Sequence, residues 1–267
     1  MNWDFDMATL DAGRVRDAVA AAVAELGLLS ISGRRGSGKT LSVWRALERS
    51  GATVVEPIRL DRERLTLADV LAAIVRDLST ERPRHSNEAR AGQARRLLRG
   101  AAGPVALLID DAHGLHHNTL RGLKRLRELG ARGRRRGALA IVLTGQSDAT
   151  SRVPEVGLRS AHLALAGLTA GEIAGALRGA MGAGIEEAAA ARIAQDPRAA
   201  NWLDMQALAR AAAREAELRG GGPVTAADAE KALGERREQT APERDGADDA
   251  RRMAAVRAGG RAARSAA

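Results

Sequence analysis

Residues 33–40 read Gly33-Arg34-Arg35-Gly36-Ser37-Gly38-Lys39-Thr40, a complete Gly-x-x-x-x-Gly-Lys-Thr phosphate-binding loop. Its flanks constrain the fold. Leu28-Leu29-Ser30-Ile31-Ser32 before it is apolar and strand-like, and residues 41–50 after it carry helical spacing and stop at Gly51. A strand, a glycine-rich turn and a helix in that order place backbone N–H groups and the positive end of a helix dipole around a phosphate. In this pattern residues 33–41, from Gly33 to Leu41, wrap the phosphates. The Lys39 ammonium reaches the β- and γ-phosphates, and the Thr40 hydroxyl is a ligand of Mg²⁺.

The rest of the chain alternates strand and helix. Helical segments are predicted at residues 11–26, 66–78, 88–98 and 118–129, and strands around 54–55, 104–109, 138–143 and 162–165. Thr66 with Asp69 forms a capping box that opens the second of these helices. Such alternation predicts an α/β fold with a parallel sheet between helices, and phosphates beyond the carboxyl ends of its strands. From Thr169 the strand signals stop. Two further capping boxes, Thr169 with Glu172 and Thr225 with Asp228, open helices, and 185–195 and 199–218 also read as helical. The expected division is an α/β nucleotide-binding domain at 1–167, a small all-α lid at 168–237 and a basic disordered tail at 238–267.

The strand at 104–109 ends in Asp110-Asp111. The first acid off such a strand holds Mg²⁺ through water, and the second orients and polarises an attacking water. The strand at 138–143 ends in Thr144-Gly145-Gln146, where a polar side chain lies beside a γ-phosphate. Gln146 is the first choice and Thr144 the second.

Taken together, Gly33 to Thr40, Leu107-Leu108-Ile109-Asp110-Asp111-Ala112-His113 and Leu143-Thr144-Gly145-Gln146 resemble the AAA+ ATPases of the ExeA-like and transposition-B group. Asp196-Pro197-Arg198-Ala199 resembles that group's sensor-2 segment. The resemblance implies ATP and Mg²⁺ as ligands and a homo-oligomer built as a ring or helical filament. It implies Arg198 directed at the γ-phosphate and an arginine acting across a subunit interface, Arg159 or Arg152. It also implies a transposase as partner. Where the group has Glu, this chain has Asp111, one methylene shorter, so the expectation is either slow hydrolysis or an acid acting through a second water.

Composition bears on the partner. The net charge is +9, which favours polyanions. Between His117 and Arg136 stand Arg121, Lys124, Arg125, Arg127, Arg132, Arg134, Arg135 and Arg136 against Glu128 alone, eight minus one or +7. Arg121, Lys124 and Arg125 share one side of a helix by their i, i+3, i+4 spacing. Arg251, Arg252, Arg257, Arg261 and Arg264 add charge in the tail. Tyr is absent and Phe5 is the single Phe, so contacts to duplex DNA should go to phosphates rather than stacked bases. With no cysteine, disulfides and thiolate metal sites are excluded. No apolar run approaches a membrane span of ~18 residues, so a cytoplasmic protein without a membrane partner is expected. His113, His116 and His117 cluster without a convincing tetrahedral set for a metal. Three readings stand beside DNA-dependent ATP hydrolysis. They are an ExeA-like ATPase acting on protein partners, a P-loop kinase for a small molecule, and a scaffold that keeps ATP and scarcely hydrolyses it.

Overall fold

The structure is a computed structural model and describes residues 8–57, 65–129 and 139–240, with backbone alone at 129 and 235–240. Its first part runs α1 (Leu10–Glu25), β1 (Leu28–Ser32), α2 (Lys39–Ser50), β2 (Thr53–Val55), α3 (Leu67–Leu78), α4 (Asn87–Gly100) and β3 (Val105–Ile109). α5 (His117–Leu129), β4 (Leu139–Gly145), α6 (Pro154–Gly157) and β5 (Ala161–Ala164) follow. The five strands form one parallel sheet in the order β2-β3-β4-β1-β5. β1, which leads into the phosphate-binding loop, is therefore internal, between β4 and β5.

Strand alternation sorts the core into two faces. Leu28, Leu107, Ile109, Ile141 and Leu143 pack beneath α3, α4 and α5. Leu29, Ile31, Leu108, Ala140 and Val142 pack beneath α1 and α2, meeting Val15, Val19, Val43 and Leu47. Burial on both faces explains why β1, β3 and β4 read as continuous apolar runs rather than alternating ones. The Thr66–Asp69 capping box is present in both directions, with Asp69 Oδ2 accepting the Thr66 N–H at 2.9 Å.

A second apolar cluster lies in α7 (Ala170–Met181), α8 (Glu187–Ala194), α9 (Trp202–Leu218) and α10 (Ala226–Thr240), around Ile173, Leu177, Ile193, Met205 and Leu208. Thr169 with Glu172 caps α7, and Thr225 with Asp228 caps α10. The segment expected as one helix over 199–218 is broken. A 3-10 turn, Pro197–Ala200, ends at Asn201, whose side chain accepts from the Leu203 and Asp204 N–H groups and restarts the chain as α9. α10 continues to Thr240, so 238–240, expected as the start of the tail, are helical; 241–267 lie outside the described residues. Backbone N–H donors tie α1, the segment after β5 and the helical cluster together. Gly167 N–H donates to Asp11 Oδ2 at 2.8 Å, Leu168 N–H to the Ala200 carbonyl at 2.8 Å, and Leu10 N–H to Glu172 Oε1 at 2.6 Å. Among the described residues, no helix is long and apolar enough to cross a membrane.

Candidate functional site

The site is assembled where β1, β3 and β4 end on the same edge of the sheet. The loop after β1 turns through Gly36 and Gly38, at φ +80° and +81°, a region that glycine enters without steric cost. Gly38 is the N-cap of α2. The first bond of that helix runs from Ser42 N–H to the Gly38 carbonyl at 3.0 Å, so the N–H groups before it point out of the helix end toward the loop.

Lys39 is buried and folds back over this loop. Its ammonium donates to the Gly33 and Arg34 carbonyls, each at 2.8 Å, and to Ser37 Oγ at 3.4 Å. Burial lowers its pKa, opposed by the negative charges of Asp110 and Asp111. Asp110 is the node of the site. It accepts from Thr40 Oγ1 at 2.9 Å, from Thr144 Oγ1, and from the Asp111 N–H at 2.9 Å. Burial pushes its carboxyl up, but those three donors and the Lys39 charge outweigh it and hold the group below its ordinary value. The loop, the first turn of α2, the end of β3 and the end of β4 thus converge on one carboxylate.

A hydroxyl and a carboxylate 2.9 Å apart, Thr40 and Asp110, form an oxygen donor set that suits Mg²⁺. Among the described residues no three His, Cys, Asp or Glu side chains gather as a metal cage. A cation here would therefore complete its shell with water and phosphate oxygens, as Mg²⁺ does at triphosphates.

The remaining candidate residues fall in different places. Asp111 adopts left-handed backbone, φ +50°, with its side chain 71% exposed and Oδ1 3.8 Å from His113 Nδ1. Thr144, the second choice on β4, is the residue that reaches Asp110; Gln146, the first choice, lies past the end of β4 and is exposed. The physical reason is where the strand stops: β4 ends at Gly145, so Thr144 is its last side chain on the Asp110 face, while Gln146, of the same parity, lies past the sheet. Arg198 lies in the 3-10 turn, and its guanidinium faces the helical cluster. Nε and Nη2 meet the Asp196 carboxylate at 2.9 and 3.0 Å, and Nη2 also reaches the Leu233 carbonyl at 3.1 Å. Asp196 is buried, and this pairing compensates its charge.

The residue that touches the phosphate-binding loop from the helical side is Asn201. Its Nδ2 donates to the Arg35 carbonyl at 2.5 Å. A Cβ on Gly36 would stand 2.7 Å from Asn201 Oδ1 and 2.8 Å from Leu203 Cδ1, so the start of α9 lies directly against the loop. Sequence reasoning missed this contact. Asn201 carries an N-cap signal, but nothing local shows which loop lies opposite.

Arg159 follows α6 beside β5, is 60% exposed, and pairs with Glu128. Arg152 is exposed, and its Nη2 donates to the Leu115 carbonyl at 2.9 Å. On α5, Arg121 pairs with Glu155 at 2.7 Å and Lys124 lies 3.9 Å from Glu128. Arg121 and Arg125 border an open groove with Leu67, Leu71 and Leu126 among its lining, so this face combines charge with apolar surface. Arg132, Arg134, Arg135 and Arg136 lie outside the described residues.

Residues 24–153 match the AAA domain family. The fold is that of the AAA+ P-loop NTPases. Similar solved structures include the ORC1 protein of Aeropyrum pernix in complex with DNA, at 18% identity and a TM-score of 0.59, covering 86% of this chain and 66% of that one. The ORC2 protein of the same organism, in ADPNP–ADP complexes, has 16% identity and a TM-score of 0.58 over 87% of this chain and 70% of that one. The RuvB Holliday junction branch migration motor of Thermotoga maritima has 18% identity and a TM-score of 0.54 over 85% of this chain and 71% of that one. This chain therefore spans about two thirds of the length of these AAA+ proteins. No curated protein sequence matches it.

Proposed function

We propose that this AAA+ chain binds Mg·ATP at the loop of residues 33–41 and hydrolyses it. The observation that carries the reading is the convergence on Asp110 of Thr40 from the phosphate-binding helix and Thr144 from β4. Lys39 exchanges its loop carbonyls for phosphate oxygens, and Thr40 and Asp110 hold Mg²⁺. Mg²⁺, held by Thr40 and Asp110, would supply charge neutralisation at the phosphates. Asp111 orients the attacking water, Gln146 joins at the γ-phosphate, and Arg198 turns from Asp196 to the nucleotide. Arg159 serves a neighbouring subunit in a homo-oligomer. The 1–167 region is the nucleotide-binding domain and 168–237 its lid.

The proposed partner is duplex DNA, gripped nonspecifically through Arg121, Lys124, Arg125 and the arginines at 132–136, with a transposase acting downstream as in the transposition-B group. The net charge of +9 and the DNA complex of the ORC1 protein support this. The pairing of Arg121 and Lys124 with Glu155 and Glu128, and the apolar groove beside them, favour the second reading, a protein partner of the ExeA-like kind.

One experiment tests the primary reading: equilibrium ATP binding and ATPase rate, with and without duplex DNA, for wild type and Lys39→Ala. Loss of one charge-assisted contact predicts affinity for Mg·ATP roughly tenfold to a hundredfold weaker in the variant. DNA stimulation that fades between about 50 and 200 mM salt selects DNA. A rate indifferent to DNA selects the protein partner, and wild-type protein that does not bind ATP refutes both.

A further inference from the structure

Asp110 already accepts three hydrogen bonds. One carboxylate oxygen accepts from Thr40, and the other accepts from Thr144 and the Asp111 N–H. It therefore has little capacity left to orient a water. Asp111 is the shorter acid, sits in left-handed backbone and projects a side chain that is 71% exposed. The site contains a third acid. Glu56 is the first residue after β2, the strand that pairs in parallel with β3, and the register Val55↔Leu107 sets it at the same sheet edge as Asp110. Neighbouring parallel strands lie ~4.8 Å apart, and a glutamate spans the diagonal between such positions. Val55 faces the α3–α5 core, so alternation turns Glu56 to the opposite face, which carries α2 and its Thr40. The strand end is fixed, because the Glu56 N–H donates to Asp77 Oδ2 at 3.3 Å. Glu56 is half-buried, and burial followed by the charges of Asp110 and Asp77 raises its pKa, which agrees with the placement that the register gives.

We propose that Glu56, on the strand beside β3, supplies the carboxylate that orients the attacking water and takes up its proton. Glu56 thereby takes the water-orienting role that the ATPase reading gave to Asp111, which becomes an auxiliary acid. The inference rests on the reading of the chain as an ATPase. The water oxygen bonds to the γ-phosphorus as the bond from that phosphorus to the β–γ bridging oxygen breaks. The electron pair leaves with ADP, and the proton passes through the Glu56 carboxylate to phosphate or solvent. Glutamate at this position offsets the missing methylene at Asp111 from a neighbouring strand.

The test compares Glu56→Gln, Glu56→Asp and Asp111→Asn in the full chain. It measures the Kd of Mg·ATP, kcat and KM, and the thermal unfolding midpoint. Glu56→Gln should lower kcat roughly a hundredfold, with Kd and midpoint within about twofold and a degree or two of wild type. Glu56→Asp should recover part of the rate, and Asp111→Asn should lose less than Glu56→Gln. A Glu56→Gln enzyme with wild-type kcat overturns the proposal. So does a variant whose loss lies wholly in Kd or in stability, or one that Glu56→Asp fails to improve. Wild-type protein that binds Mg·ATP without any turnover overturns it too. Absence of ATP binding in wild type instead strikes the ATPase reading on which it rests.

Discussion

Replacing Gly36 by Ala perturbs the contact between the phosphate-binding loop and the start of α9. Two costs arise. The backbone at φ +80° is left-handed, which costs an L-residue about 1–2 kcal/mol. The new Cβ also stands 2.7 Å from Asn201 Oδ1 and 2.8 Å from Leu203 Cδ1, distances at which something must move. The side chains are the parts that yield, and the bond from Asn201 Nδ2 to the Arg35 carbonyl is lost with them, about 1 kcal/mol more. The sum is roughly 2–3 kcal/mol, or roughly 4–12 °C in Tm for a protein of this size. Gly38→Ala is the internal control. Its φ is +81°, but its Cβ would meet nothing within 4 Å, so it carries the strain alone. Urea unfolding of both variants should show Gly36→Ala costlier by about 1 kcal/mol. In a Leu203→Ala background the excess should shrink, because one of the two obstacles is gone. Equal costs at the two glycines, or an excess untouched by Leu203→Ala, would refute the claim that α9 bears on the loop.

Thr144→Val removes a buried donor from Asp110 while keeping shape, so stability should fall by about 1–3 kcal/mol in urea titration. Thr144→Ser should retain most of it, and a wild-type midpoint for the valine variant would remove Thr144 from the site. Asp228 accepts from Arg219 at 3.0 Å and from the Thr225 N–H at 2.9 Å, and these hold its carboxyl far below the usual range. Its contribution is therefore complete above the ordinary carboxylate value and is lost as pH falls below about 4 toward the folded value. Asp228→Asn should lower Tm at neutral pH and flatten the acid limb of a Tm-versus-pH curve; an unchanged limb contradicts the assignment. Arg159→Ala should bind ATP normally yet hydrolyse poorly, and mixing it with Lys39→Ala protein should restore turnover. Mixtures no more active than their components would show that Arg159 does not act across subunits.

Much of this molecule was legible in the chain because the relevant signals are local. A glycine loop between an apolar strand and a helix, an acid pair ending a buried strand, and three capping boxes each depend on residues within a few positions of one another. From sequence Gln146 ranked ahead of Thr144, and the fold brings Thr144 to Asp110. The two share one parity, so which one faces Asp110 depends on where β4 ends, and that end is fixed by pairing with β1 and β3. Arg198 matched a motif, yet in the folded chain its guanidinium neutralises the buried Asp196.

The sequence by itself determined the phosphate-binding loop, the acids and the alternation that makes a parallel sheet, since each is encoded by neighbours along the chain. Only the tertiary structure decided that Thr40, Asp110 and Thr144 share one carboxylate, that Asn201 touches Arg35, and that Glu56 lies one strand from the node. Those meetings join residues separated by 34 to 166 positions. Strand order and helix packing set them, and strand order is a property of the whole core rather than of any segment.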